Sequence, residues 1–320
     1  MGGVVWRPAG LTDEPSRTSL GMRANAGLGA ELGLFVRHLR LPFQLLLAPI
    51  FLLGAWLARA QLSWPLMAAF FAVHIGIYGG MTVFNSYYDR DQGPIGFMKE
   101  PRPVSRRVRD LAIAIQLAAV GIVWTRSWAA GLAALLLTAM GIGYSHPRWR
   151  WKANLGASLA AVGIGQGILA FLIGYLIASP DGGAGAALTP RAAIAALGAT
   201  IVTLGLYPIT QVYQIAEDRA RGDRTLPTVL GWRRALLCSA LGVPLGALVI
   251  AAGVAERIVP AWPWLLAAFV LAYWIALGIW SRRFEARDVA QNHDWAMGIA
   301  TGAAGGFWIF ILLEWWRSGW

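Results

Sequence analysis

The chain has 320 residues, of which 57% are hydrophobic and only 13% charged, with a mean hydropathy of +0.55. Soluble domains carry about 25% charged residues, so this composition excludes an ordinary water-soluble globule and leaves a protein solvated largely by lipid. The formal net charge of +11 sits on no soluble basic motif, which argues against nucleic acid and points to membrane topology and anionic lipid.

In chain order, residues 1–38 read as a mobile cytoplasmic tail. Their basic residues are mixed with Gly, Pro and acids, without the compact apolar stretch of a signal peptide, and Trp6 does not suit a myristoylation signal. Residues 39–320 read as one transmembrane domain. Nine apolar runs follow, near residues 41–60, 64–88, 109–125, 128–145, 154–178, 191–215, 235–254, 262–281 and 296–316. Most reach the ~20 residues that cross the hydrocarbon core. Backbone groups in lipid must pair within their own segment, so each run is expected to be a helix. The expected fold is therefore an all-α membrane protein: about nine transmembrane helices bundled around a central cavity, in two related halves that meet near residues 150–190. Trp56, Trp64, Trp128, Trp262, Trp264, Trp315 and Trp316 stand at run ends, where interfacial anchors belong.

Basic residues fix the expected orientation. Twenty-two of the 27 Lys and Arg precede the first run or follow the even-numbered ones, leaving Arg59, Arg126, Arg191, Arg257 and Arg317 on the other side. This asymmetry places the N-terminus and the even-numbered loops in the cytoplasm. The composition and the lack of a targeting segment suggest a bacterial inner membrane. The lone Cys238 excludes an internal disulfide and a cysteine metal site.

The second and sixth runs end in similar text, YGGMTVFNSYYDRDQG from Tyr78 and YPITQVYQIAEDRARG from Tyr207. At a constant offset of 129 residues, Tyr78 matches Tyr207, Val83 Val212, Asp89 Asp218, Arg90 Arg219 and Gly93 Gly222. Thr82 faces Gln211, and Asn85 faces Gln214. The polar positions recur at spacings of 4, 3 and 4, one face of a helix. Each copy feeds a basic Gly/Pro-containing loop that reads as a cap over a cavity mouth.

Polar side chains on transmembrane helices are costly and usually face a cavity or a partner. Asn85 with Asp89, and Gln214 with Asp218, stack at i and i+4 and offer the oxygen ligands that suit Mg²⁺. Asp91 adds a carboxylate. Basic residues just beyond, among them Lys99, Arg106 and Arg224, are placed to grip phosphate oxygens. Such a site fits an anionic, phosphate-bearing substrate with an apolar tail. Single copies of the motif equally suit helix caps paired with Arg90, Arg102 or Arg219.

Taken together, these residues resemble the UbiA superfamily of intramembrane prenyltransferases, nine-helix bundles with one Asp-rich motif after helix two and another after helix six. The first, usually N-x-x-x-D-x-x-x-D, reads here Asn85-x-x-x-Asp89-x-x-x-Gly93. The second, usually D-x-x-x-D with a Gly-x-Arg-Thr-Leu-like loop, reads Gln214-x-x-x-Asp218-x-x-x-Gly222 and continues Asp223-Arg224-Thr225-Leu226-Pro227. Arg102-Pro103 looks like the family's Arg-Pro, and YSHPRWRWKANLG looks like its basic stretch, with Tyr144 and Lys152 as candidates.

The resemblance implies transfer of an isoprenyl group from a diphosphate to an aromatic or lipid-like acceptor, with Mg²⁺ on the departing diphosphate and no obligate protein partner. It implies Asn85, Asp89, Asp91, Gln214 and Asp218 as metal ligands, Asp89 and Asp218 being catalytic. Lys99, Arg102, Arg106, Lys152 and Arg224 would bind diphosphate, and Tyr144 and Tyr213 would face the allylic cation. Gly93 and Gln214 depart from the pattern and lower the site's negative charge, although Asp91, Glu217 and Asp223 are near. The alternative is a non-catalytic isoprenoid or quinone binding or transport protein on the same scaffold. A CDP-alcohol phosphotransferase ranks last, because its D-G-x-x-A-R pattern is absent. His74 reads as a packed structural histidine and Glu314 as interfacial; His38, His146 and His293 show no zinc spacing.

Overall fold

The computed structural model describes residues 27–59, 61–179 and 188–319, which form helices and turns without a strand. Most of the expected N-terminal tail, residues 1–26, lies outside the described residues. Its last part is folded: α1 (Leu28–His38) packs Phe35, together with the following Leu39, against Val83, Val108 and Ala112. The apolar stripe in LGAELGLFVRH was therefore a packing face, which the surrounding Gly and charge obscured.

Helices stand at all nine expected places: α2 (Leu41–Leu57), α3 (Trp64–Asp89), α4 (Arg106–Trp124), α5 (Trp128–Ser145), α6 (Leu155–Ala178), a sixth span of α7 (Pro190–Leu206) and α8 (Ile215–Arg221), then, after a short α9 (Leu226–Leu230), α10 (Trp232–Val254), α11 (Trp262–Arg282) and α12 (Val289–Arg317). Among the described residues seven spans are long and apolar enough to cross a membrane, or eight if α1 and α2, bent by 44°, count as one. The count of nine spans is thus not reached by length and composition: α4 opens with Arg106, Arg107, Arg109 and Asp110 and falls short. Local signals set the boundaries. Ser105, Ser127, Asn154, Thr189 and Asp288 each accept a backbone N–H two or three residues into the helix that follows. Arg90, at φ 49°, ends α3, and Gly222, at φ 74°, ends α8.

Close approach of backbones holds the bundle together, as expected where lipid supplies no hydrophobic drive between helices. On α2 and α6, a Cβ at Gly54 would lie 2.1 Å from the Phe171 carbonyl oxygen, and one at Gly174 2.0 Å from that of Phe51. On α7 and α10, Gly198, Gly205, Gly242 and Gly246 permit the same contact. Helix α11 is much less covered, with Leu265, Leu271, Trp274, Ile275 and Ile279 exposed. α3 and α6 each widen into a π-helical turn, Ala72–Gly79 and Gly163–Leu169, and meet there through the Tyr78 hydroxyl, which donates to the Gly165 carbonyl at 3.1 Å. Such π-helical turns are rare and are frequently found at functional sites.

Candidate active site

One end of the bundle collects the C-terminal ends of α3, α5 and α8 and the starts of α6 and α10. Below it runs a cavity of about 1060 Å³. Its walls come from α2, α3, α5, α6, α7, α10, α11 and α12, and its head carries Asn85, Asp89, Asp91, Gln214, Asp218 and Asp223. Both motif copies therefore open into one space.

The copies reach it by different backbones. In the first, an unbroken helix from Gly80 to Asp89 carries Thr82, Asn85 and Asp89 down one side. In the second, the expected continuous helical face is absent: residues Tyr207–Thr210 and Val212–Gln214 form two 3₁₀ turns before α8 begins. Pro208 supplies the reason, because it has no N–H to give and its ring crowds the carbonyl four residues back. The break turns Gln211, Tyr213 and Gln214 into the cavity lining. Gln214 Nε2 lies 3.4 Å from the Pro94 carbonyl oxygen in the loop after α3.

Four carboxylates at the head are almost fully buried, and each has a basic partner. Lys152 pairs with Asp89. Arg221 bridges Asp91 at 2.7 Å and Asp218 at 3.0 Å. Arg150 meets Asp223 through Nη2 at 2.8 Å, and the Thr225 hydroxyl donates to Asp218 at 3.1 Å. Arg40 is also in the lining. Its left-handed backbone (φ 49°) marks the bend between α1 and α2, and its Nη2 donates to Ser86 Oγ at 2.7 Å. Tyr144 and Tyr207 share a hydrogen bond of 2.7 Å, and Tyr213 stands edge-on to His293 at 5.2 Å.

The loop after α3, expected to cap a cavity mouth, packs against this head. Ile95 and Gly96 are part of the lining, His293 hydrogen-bonds the Gly96 carbonyl, and the Gln92 N–H donates to Glu217 Oε1 at 3.0 Å. Gly93, where the family pattern carries an Asp, faces Glu217: a Cβ there would lie 3.1 Å from Oε2.

The structure thus brings Asn85, Asp89, Asp91, Tyr144, Lys152, Tyr213, Gln214 and Asp218 together. Lys99, Arg102, Arg106 and Arg224 are exposed and not in the lining; Lys99 instead pairs with Asp294 at 2.8 Å on the loop's outer side. Sequence reading missed Arg40, whose place depends on helix packing, and Arg221, whose spacing of three from Asp218 was a usable signal. Glu314, expected at the interface, is 1% exposed within the bundle and accepts hydrogen bonds from Trp262 and Arg317 near the end of α12. His74 is packed between Phe51, Phe70 and Tyr78.

These elements define a polytopic all-helical membrane bundle with a long, mostly apolar cavity headed by buried acids and bases. Comparisons with known proteins carry this further. The model of the UbiA prenyltransferase family matches residues 46–300. Digeranylgeranylglyceryl phosphate synthase of Natronomonas pharaonis is 30% identical over 196 residues, covering 59% of this chain and 65% of that protein, a little under two thirds of its length. Among solved structures, a UbiA homolog from Archaeoglobus fulgidus bound to GPP and Mg²⁺ has a TM-score of 0.62 at 18% identity, covering 87% of this chain and 99% of its own. A digeranylgeranylglyceryl phosphate synthase structure has a TM-score of 0.59 at 14% identity, covering 90% and 98%. The chain belongs to the UbiA prenyltransferase family.

Proposed function

We propose that the protein transfers an isoprenyl group, Mg²⁺-dependently, from a polyprenyl diphosphate to an aromatic or lipid-like acceptor inside the membrane. The observation that carries this reading is the meeting of both motif copies at the head of a single apolar cavity. The excess of basic residues in the loops at that end supports its assignment to the cytoplasmic side, in an inner cell membrane.

The donor set fits the metal. Asn85, Asp89 and Asp91 from one copy, and Gln214, Asp218 and Asp223 from the other, are all hard oxygen donors lining the head. Among the described residues no three acids or histidines converge as a preformed metal cage. The six donors would serve Mg²⁺, which takes one or two carboxylates and completes its shell with water and phosphate oxygens. Mg²⁺, when bound, would neutralise the charge that develops on the departing diphosphate.

The chain's own groups do the rest. Lys152, Arg221 and Arg40 are cations already inside the head, within reach of an entering anion, and Arg221 supplies a planar fork suited to phosphate. The apolar walls hold the isoprenyl tail and keep water from the allylic carbon as its bond to oxygen breaks. Tyr144 and Tyr213 present ring faces or edges in the same lining, and a ring face attracts an allylic cation.

The test is turnover by the purified protein with an isoprenyl diphosphate, Mg²⁺ and a panel of quinone-type, tetrapyrrole and glycerol-phosphate lipid acceptors. We expect a prenylated product that disappears on chelation with EDTA. Absence of both turnover and Mg²⁺-dependent diphosphate binding would refute the reading. The ion pairs that already fill the head favour a second reading, an isoprenoid or quinone binding or transport protein. Isoprenoid binding that persists without metal in Asp89→Ala and Asp218→Ala would select it.

A further inference from the structure

The far end of the cavity carries a second polar arrangement that the head chemistry does not use. From the head the lining follows α10 from Ala240 to Ala251 and α12 from Ala300 to Phe310, about 15 Å at 1.5 Å per residue. It ends among Ile258, Trp262, Phe307 and Phe310. Trp262 is the first residue of α11, a 21-residue helix whose other end, Arg282, points back toward the head; the two ends are about 30 Å apart.

Trp262 is pinned in this place. Its indole N–H donates to Glu314 Oε1, and its ring meets Phe310 edge-on at 4.8 Å. Glu314 lies in the last helix and is 1% exposed. Arg317 holds its other oxygen through Nε at 3.0 Å and Nη2 at 2.6 Å. Ser318 ties the same turn to Trp56, accepting from its indole N–H at 3.2 Å and donating to the Glu314 carbonyl at 2.6 Å. A carboxylate inside a membrane helix is costly and calls for a specific use. Here its polar partners, an indole and a guanidinium, fix the orientation of a ring across the end of an apolar shaft.

We propose that Trp262 is the floor of the isoprenyl channel and sets the longest tail the protein accepts, with Glu314 as the residue that positions it. This rests on the isoprenyl diphosphate reading of the head. A tail that reaches the floor stops against the indole, and each further methylene must displace it. In an apolar pocket one methylene changes discrimination about ten- to two-hundred-fold, enough for one ring to set a length limit.

The experiment measures affinities of the full-length protein in lipid nanodiscs for a series of unreactive isoprenyl thiolodiphosphates of increasing length, so it needs no turnover. Affinity should rise with length and then break off. Trp262→Ala should move the break to longer tails, raising the affinity ratio of the first excluded length to the last accepted one by about tenfold or more. Leu266→Trp, which places a ring one helical turn nearer the head on the same lining face, should move the break to shorter tails. Glu314→Ala, which frees the indole, should blur the break, whereas Glu314→Gln, which keeps an acceptor oxygen, should preserve it. A break that stays put in both folded Trp262→Ala and Leu266→Trp overturns the proposal; it would mean that the tail leaves sideways past the exposed Leu241, Leu245 and Leu248 of α10. Failure of the head reading looks different: no member of the series would bind through its diphosphate, whatever its length.

Discussion

The two motif copies carry polar residues at the same spacing and reach the same cavity, yet they are built differently. The first is a continuous helix whose Asp89 has one basic partner, Lys152. The second is broken by Pro208 into 3₁₀ turns, and its Asp218 sits in a network with Arg221, Thr225 and, through Arg221, Asp91 and Asp223. Equal spacing in sequence thus brings the residues to one site, whereas the backbone between them differs and so do the partners each acid meets. Arg221 also crosses between copies, since Asp91 belongs to the first and Asp218 to the second.

Removing the acids tests whether the copies are equivalent in chemistry. Asp89→Asn and Asp218→Asn keep size and remove charge. Each is expected to lower kcat/KM on the order of a thousandfold, the scale of losing one preorganised electrostatic group. A loss confined to one of them would assign the metal and diphosphate to a single copy and break the equivalence.

Removing the bases tests the difference in build. Arg221→Ala strands Asp91 and Asp218, whose side chains are 4% and 7% exposed, and should cost about 3 kcal/mol of stability, seen as a lower melting temperature in detergent. Lys152→Ala strands only Asp89 and should cost less. If the order is reversed, the Arg221 network does not hold the second copy more strongly than Lys152 holds the first.

Restoring the helix tests the break itself. Pro208→Ala returns the missing N–H and lets α7 run on toward α8. The expected result is a loss of up to about 10²-fold in kcat/KM, from misplaced Gln214 and Asp218, without a lower melting temperature. An unchanged rate would show that the 3₁₀ turns do not place these groups.

Much of this was legible in the sequence, for identifiable reasons. Hydropathy located the helices, because lipid leaves a chain few other solutions. Polar identities in apolar text found Asn85, Asp89, Gln214 and Asp218, because a buried polar group needs a partner or a cavity. Arg40 was hidden: its partner Ser86 is 46 residues away, and only the packing of α1 on α3 and α4 turns it inward. The partner of Glu314 was hidden as well, because Trp262 stands at the start of another helix, 52 residues away in sequence. The basic loop residues were read as one set, although charge alone cannot tell a side chain that lines a cavity from one that faces water.

That last distinction yields the smallest effect and the sharpest contrast with the head. Lys99 lies on the outer side of the loop, 65% exposed, paired with a half-exposed Asp294. Exposed pairs of this kind contribute about 0–1 kcal/mol, because both partners are well solvated apart and lose side-chain freedom together. Lys99→Ala should therefore shift the melting temperature little and change diphosphate affinity by less than about twofold, within the ~0.5 kcal/mol of an ordinary surface substitution. Lys152→Ala, at a lysine 8% exposed in the cavity lining, should weaken the same affinity far more. Equal losses from the two substitutions, measured by titration with one isoprenyl thiolodiphosphate, would mean that the loop carrying Lys99 folds inward when the head is filled and that the diphosphate is gripped from both sides.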